Sequence, residues 1–400
     1  MNEDKFKQAL AEFLDSTTNK KNEKSTGLIA NNDFYFWYSV SCLSNAVEMV
    51  IEDPKLGKLF SWKKLQEKIV KLTGEEQANG ESNTQIVEDI LGLINKNPEE
   101  FLCIIPFHGI KLESPYTIGN VTLYPASQKT SVLKDKVSPK LYDKLIDTVT
   151  DNQNFATVNV KAVIPSGAIE VAISEVKSAL NILRFIMNTP NMLYQIGVGK
   201  QNQTMFDKEF IAVAQNSGIT QHPFEFVPYP IDLSDLQSSE KNYIKRIGDI
   251  QRKIYNKQST VPLEKGLANA TNLIANGLAN KESSIKIIQL MSAIEALVEQ
   301  KTFVQGISDQ VCERTALLLG KDSNSRRKMF DKLTTLYGKR SNLSHGNTAV
   351  ITHYDVVYLW QIAKSLCFYF HIHFSEFVDS NTHEKKKLKE YLLNLKFEGK

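Results

Sequence analysis

Two residues in the last quarter of the chain have the right types to move protons at a phosphate. Arg340 and His345 stand five positions apart in YGKRSNLSHGN, residues 337–347, framed by Gly338 and Gly346. Cutting RNA without a metal needs a base for the 2′-OH proton, an acid for the departing 5′-oxygen and a cation for the phosphate charge. An unperturbed histidine, with a pKa of about 6.5, serves as acid or base at neutral pH. Arginine stays charged and grips phosphate through a planar fork. The two glycines are expected to let the backbone leave helical geometry, so that both polar side chains sit at a helix end facing a concavity. Spacing alone is a weak signal, because such a pair also arises by chance. The plain structural alternative has His345 capping a helix and Arg340 making a surface ion pair, and both readings stand at this point.

Other residue types add to this or fall away. Glu295 lies in the apolar segment SAIEALVEQ, where a lone carboxylate is expensive to bury without a partner. It either orients Arg340 or His345, or it is an exposed edge residue or part of an internal ion pair. Residues 321–340 hold Lys321, Arg326, Arg327, Lys328, Lys332, Lys339 and Arg340 against Asp322 and Asp331. A polyanion contact needs such an excess, and a solvated helix face also produces it. Arg326, Arg327, Lys328 and Lys339 are the candidates for touching RNA phosphates. Cys367 and His371 are at i, i+4, a spacing able to hold a metal, but no second pair accompanies them, so core packing is expected and no metal site. Gly197-Val198-Gly199-Lys200 has Tyr194 and Gln201 where a phosphate-binding loop needs Gly and Ser/Thr, which rejects that reading. The aromatic run Phe34 to Tyr38 could stack bases, but consecutive positions cannot all face one groove, so a core strand is expected.

The elements that must position these residues follow from spacing. Met329, Phe330, Leu333, Leu336 and Tyr337 share one helix face, with the basic residues mostly off it. The preceding pattern, Ile307 to Leu319, ends at Gly320, where a left-handed cap is expected. The longest helix is expected from Thr352, with Asp355 completing its N-terminal capping pattern. A strong helix over Ser283–Glu299 carries Glu295. Before about Leu233 the chain is mixed: helices near 5–14, 62–72, 84–94 and 169–187, and strands near 101–107, 121–124, 155–164, 193–198 and 224–227. No βαβ rhythm is present. The fold class expected is an α+β N-terminal domain, residues 1–235, followed by an all-α domain, residues 236–400. The tail HEKKKLKEYLLNLKFEGK reads as a short, exposed, basic amphipathic helix.

At 400 residues with 42% hydrophobic and 23% charged residues, the chain is neither disordered, collagen-like nor a coiled-coil rod. No apolar run reaches the length of a membrane span. MNEDKFKQAL lacks the apolar core of a secretory signal, and four cysteines without a CxxC pair argue against a disulfide framework. A cytoplasmic location is therefore expected. The net charge of +3 hides an asymmetry, since residues 231–400 carry 25 Lys and Arg against 18 Asp and Glu.

RSNLSHG, preceded by the apolar helix ending LTTLYGK and followed by a long helix, resembles the R-x4-6-H motif of HEPN-domain ribonucleases, most closely the Apea-like branch. SAIEALVEQ is similar to the segment in which that branch carries an acidic residue in an apolar helix. The resemblance covers roughly residues 240–380; the first 230 residues have only a loose likeness to the N-terminal regions of such proteins. It implies a helical bundle that dimerises so that two motifs face one cleft, and a metal-independent, cofactor-free cleavage leaving a 2′,3′-cyclic phosphate. Arg340 and His345 match the motif's invariant positions. Ser341 stands where the family often has Asn, Asp or His, and Asn342 is the residue left to supply that supporting hydrogen bond. Asn347 stands where HEPN toxins with a nucleotidyltransferase antitoxin carry Tyr, so that pairing is not implied. The family further implies RNA as partner and a toxin-like effector role in antiphage defence or stress response, with the N-terminal domain sensing a trigger. A non-catalytic HEPN module binding RNA or protein, or a dimerisation scaffold, is the alternative.

Overall fold

The structure, a computed structural model, describes residues 1–18, 23, 25–30, 35–57, 59–137, 139, 142, 153–187, 190, 196–199, 210–214, 218–222, 231–298, 306–378 and 384–397. Residues 1–105 and 157–175 form one compact unit, and residues 106–156 and 176–400 a second.

In the first unit, helices α1 (Glu3–Asp15), α2 (Val40–Glu52), α3 (Trp62–Ala78) and α4 (Asn83–Ile94) each begin at a polar N-cap. The Asn2, Ser39, Ser61 and Ser82 side chains accept the backbone N–H three residues on, satisfying a donor the helix cannot. Their apolar stripes, such as Phe6, Leu10, Phe13 and Leu14 of α1, close one core. A hairpin of β1 (Gly27–Ala30) and β2 (Tyr35–Tyr38) pairs antiparallel and sends Phe36 into that core. The aromatic run is thus a strand over 35–38; Phe34 lies outside the described residues.

A five-stranded sheet has the order β5 (Tyr116–Ile118), β6 (Val121–Tyr124), β7 (Phe155–Ala162), β3 (Glu99–His108), β8 (Gly197–Val198). Along β3, Cys103, Ile105 and Phe107 are buried at every second position, the pleat's own period. Short β4 (Ile110–Lys111) pairs parallel with β11 (Ile231–Asp232), and β9 (Phe210–Ala214) with β10 (Gly218–His222) makes a hairpin. Of the strand expected near 193–198, Gly197 and Val198 are seen, and the one at 224–227 lies outside the described residues. Helices α5 (Lys129–Lys136) and α6 (Pro165–Met187) complete this part.

From Ser238 the described residues are mostly helical: α7 (Ser238–Tyr255), α8 (Pro262–Ala279), α9 (Ser283–Val298), α10 (Ile307–Leu319), α11 (Ser323–Ser344), α12 (His353–Ile372), α13 (Phe374–Phe377) and α14 (Glu384–Phe397). Helix α9 packs on α8 and α12, and α11 packs on α10. Leu290, Met291, Ile294, Leu359, Leu366 and Phe370 are buried here. The chain therefore has an N-terminal α/β region and a helical C-terminal part. No helix among the described residues is long and apolar enough to cross a membrane.

Four local expectations need correction. Residue 235 lies inside the second unit, because β4 to β6, β8 and the last half of α6 belong with the helices. Gly320 has φ −79° and ψ 126°, extended and not left-handed. Glycine is needed there because a Cβ would stand 2.5 Å from Arg326 Cγ and 2.7 Å from the Ala316 carbonyl oxygen. Gly338 does not break the helix, which runs through it to Ser344. The tail helix α14 is docked: Leu388, Leu392 and Leu395 are buried, and the helix packs on α10 and α13.

Candidate active site

Helix α11 carries Tyr337 and Arg340 three residues apart, and both reach Glu295 on α9. The Tyr337 hydroxyl donates to Glu295 Oε1 at 2.7 Å, and Arg340 Nη2 donates to Oε2 at 3.3 Å. The Arg340 guanidinium carbon is also 5.6 Å from the centre of the Tyr337 ring. The Glu295 side chain is 13% exposed, and its neighbours Ile294, Leu297 and Val298 are buried. Of the roles open to Glu295, the internal pair with Arg340 is the one observed. One donor of the guanidinium is committed to it. Nε is buried with no hydrogen-bond partner among the described residues, and the Arg340 side chain as a whole retains 26% exposure.

His345 is the C-cap of α11, as the structural alternative expects, and its residue is exposed. Its N–H returns to the Ser341 and Asn342 carbonyls at 3.1 and 3.2 Å. Gly346 then takes φ +78°, a left-handed step that glycine makes without strain. The Gly346 N–H donates to the Leu343 carbonyl at 3.2 Å and the Asn347 N–H to the Asn342 carbonyl at 2.9 Å, the paired bonds of a Schellman cap. Ser341 and Asn342 thus contribute backbone carbonyls to the cap; among the described residues neither side chain bonds Arg340 or His345. At 1.5 Å and 100° per helical residue, positions 340 and 345 stand roughly 7.5 Å apart along the axis and about 140° apart around it. The structure brings Arg340, Tyr337 and Glu295 together and leaves the His345 imidazole apart from them.

The basic cluster divides into two kinds of side chain. Lys332 and Lys339 donate to the two oxygens of Asp355 at 2.8 and 2.7 Å, and Lys339 also to the Val350 carbonyl at 2.9 Å. Asp355, 2% exposed, is the third residue of the α12 capping box begun by Thr352. Burial alone would push its carboxyl up; the hydrogen bonds from Lys332, Lys339 and Thr352 outweigh burial and hold it well below the usual carboxylate range. These lysines tie α11 to the start of α12 and so fix the loop that follows His345. Arg326 donates to the carbonyls of Gly320 at 3.0 Å and Leu395 at 3.1 Å, anchoring α14. Arg327 and Lys328 are exposed.

Cys367 is fully buried, and burial pushes its thiol up to about 12, the opposite of what a thiolate ligand needs. It sits in the core, as expected. Sequence reasoning treated Tyr337 only as part of an apolar face and Asp355 only as a cap. Tyr337 was detectable as the residue three before Arg340 on the same side of a helix; the Asp355 contacts span 16 and 23 residues and leave no local trace. Comparison with family models, with curated proteins and with solved structures finds no match for this chain.

Proposed function

We propose that this chain is a metal-independent endoribonuclease of the HEPN type, acting as a homodimer through its helical part and serving as a toxin-like effector. The observation that carries the reading is the setting of Arg340. A guanidinium held by Glu295 and Tyr337, on a side chain that keeps 26% exposure, is oriented for a phosphate before substrate arrives. The same helix ends by presenting an exposed imidazole at His345.

In this reading one imidazole takes the 2′-OH proton, the 2′-oxygen attacks phosphorus, and the bond to the 5′-oxygen breaks as that oxygen takes a proton from solvent water. Arg340 balances the charge on the non-bridging oxygens. The products are a 2′,3′-cyclic phosphate and a 5′-hydroxyl. The cations exposed on α11, Arg327 and Lys328, face the RNA backbone outside the cut.

End-group analysis of RNA incubated with the purified chain in EDTA tests the assignment. Cyclic phosphate ends are expected, with none from a His345→Ala protein of unchanged melting temperature and none from Arg340→Lys, whose point charge cannot replace the fork. Cleavage that requires an added divalent metal, or survives His345→Ala, overturns it. A second reading draws on the same site: Arg340 is engaged by Glu295 and His345 is a helix cap, which suits a module that binds RNA or protein without cutting. Wild-type protein that binds RNA and leaves it intact selects that reading.

A further inference from the structure

The second unit holds a concavity of about 710 Å³ that none of Glu295, Tyr337, Arg340 or His345 lines. Its long wall is one face of α7, where Asn242, Lys245, Arg246, Asp249 and Ile250 recur at helical spacing. The start of α8 contributes Glu264. The end of α12 and the turn beyond it contribute His371, Ile372 and Phe374. The volume falls within the roughly 300–1,000 Å³ of ordinary small-molecule sites.

Its charges do not cancel. Asp249 pairs with Arg252 at 2.7 Å, and Glu264 pairs with Lys253 at 2.6 Å, so both carboxylates are already answered. Lys245 and Arg246, side by side on α7, have no carboxylate partner among the described residues. The Arg246 guanidinium carbon lies 4.5 Å from the centre of the Phe374 ring, a stack that holds the fork while leaving its edge donors open. Burial and the Arg246 charge hold the His371 imidazole below its ordinary pKa, so no third charge is added. Beside the two cations the lining is apolar: Ile372, 70% exposed, and Phe374, on whose ring Arg246 stacks.

Two adjacent cations match the double charge of a phosphate better than a single carboxylate. The apolar lining matches an uncharged ligand portion about the size of one ring. We propose that this concavity binds a small organic phosphate, its phosphate on Lys245 and Arg246 and its apolar part against Ile372 and Phe374. The inference stands independently of the nuclease reading, since it concerns binding alone.

Calorimetric titration of the full chain with phenyl phosphate, inorganic phosphate and phenol tests it. Phenyl phosphate should bind saturably, with a Kd near or below about 1 mM, roughly tenfold tighter than inorganic phosphate, and phenol should give no binding. Lys245→Gln with Arg246→Gln should weaken phenyl phosphate by about tenfold or more at unchanged melting temperature. Ile372→Ser, at an exposed position, should weaken phenyl phosphate and leave inorganic phosphate unchanged. If the double variant does not fold, exposed Lys245→Glu alone gives the charge test. Failure to saturate by about 10 mM, equal binding by the charge variants, or binding only by a short RNA overturns the proposal.

Discussion

Glu295 meets two donors at once, which makes it separable from the groups it serves. Glu295→Gln keeps the shape and one acceptor but removes the charge opposite Arg340. Charge-assisted hydrogen bonds contribute roughly 1.5–3 kcal/mol, so in the proposed nuclease reading losing this one should lower RNA cleavage by about ten- to a hundredfold. A positioning role requires that the pH profile of the residual activity keep its shape; a shifted profile would instead make Glu295 a proton carrier. A second carboxyl, Glu175 in the first unit, makes a stability prediction. Burial pushes it up from 4.5 to about 7. Because the folded state then binds the proton more tightly than the unfolded chain, the extra stability is complete below pH 4.5 and is lost as pH rises through about 7. The difference is roughly 3 kcal/mol, and Glu175→Gln should flatten that part of a denaturant-midpoint profile measured from pH 4.5 to 8. At this scale residue type was legible and partnership was not. Arg340 and His345 were visible in the motif, whereas the contact from Glu295 to Arg340 spans 45 residues and depends on how α9 and α11 pack.

Helix α11 sorts its cations by the direction each faces. Arg326, Lys332 and Lys339 are spent on carbonyls and on Asp355, while Arg327 and Lys328 point to water. Under the proposed function, replacing Arg327 and Lys328 by Glu should therefore weaken RNA binding and flatten its dependence on salt, at nearly constant melting temperature. Arg326→Glu should do the reverse, lowering the melting temperature by releasing α14 and changing the salt dependence little. Equal effects from the two changes would mean that the division into anchoring and exposed cations is wrong. The helices themselves were readable from apolar spacing, and the Thr352 and Asp355 cap of α12 from two residue types three apart. The roles of Gly320, Gly338 and the tail are not legible in local sequence. Glycine marks a break, a close approach or nothing, and an amphipathic stripe marks burial without naming its partner. Arg326 packed against Gly320, and α10 beneath α14, decide those cases.

Across the whole molecule, the two motif residues do not share a face, and this bears directly on how many chains make a site. The boundary expected at residue 235 followed a change from strands to helices, but compactness follows contacts, and β4 to β6 make theirs with the second unit. Within that unit α11 turns Arg340 toward α9 and leaves His345 at its far end, roughly 7.5 Å along and about 140° around. In the proposed nuclease reading, an arginine and a histidine that act on one phosphate come from two copies, since a two-fold interface brings the same patch of both together. Val350 and Tyr354, 82% and 83% exposed in the loop and first turn after His345, give that patch an apolar surface. Mixing inactive His345→Ala chains with inactive Arg340→Ala chains measures this directly. If each site takes its arginine from one chain and its histidine from the other, every mixed dimer holds one intact site and one doubly damaged site. Random exchange makes half the dimers mixed, so about a quarter of wild-type cleavage should return. If both residues act from the same chain, no mixed dimer contains an intact pair and cleavage stays at background at every mixing ratio.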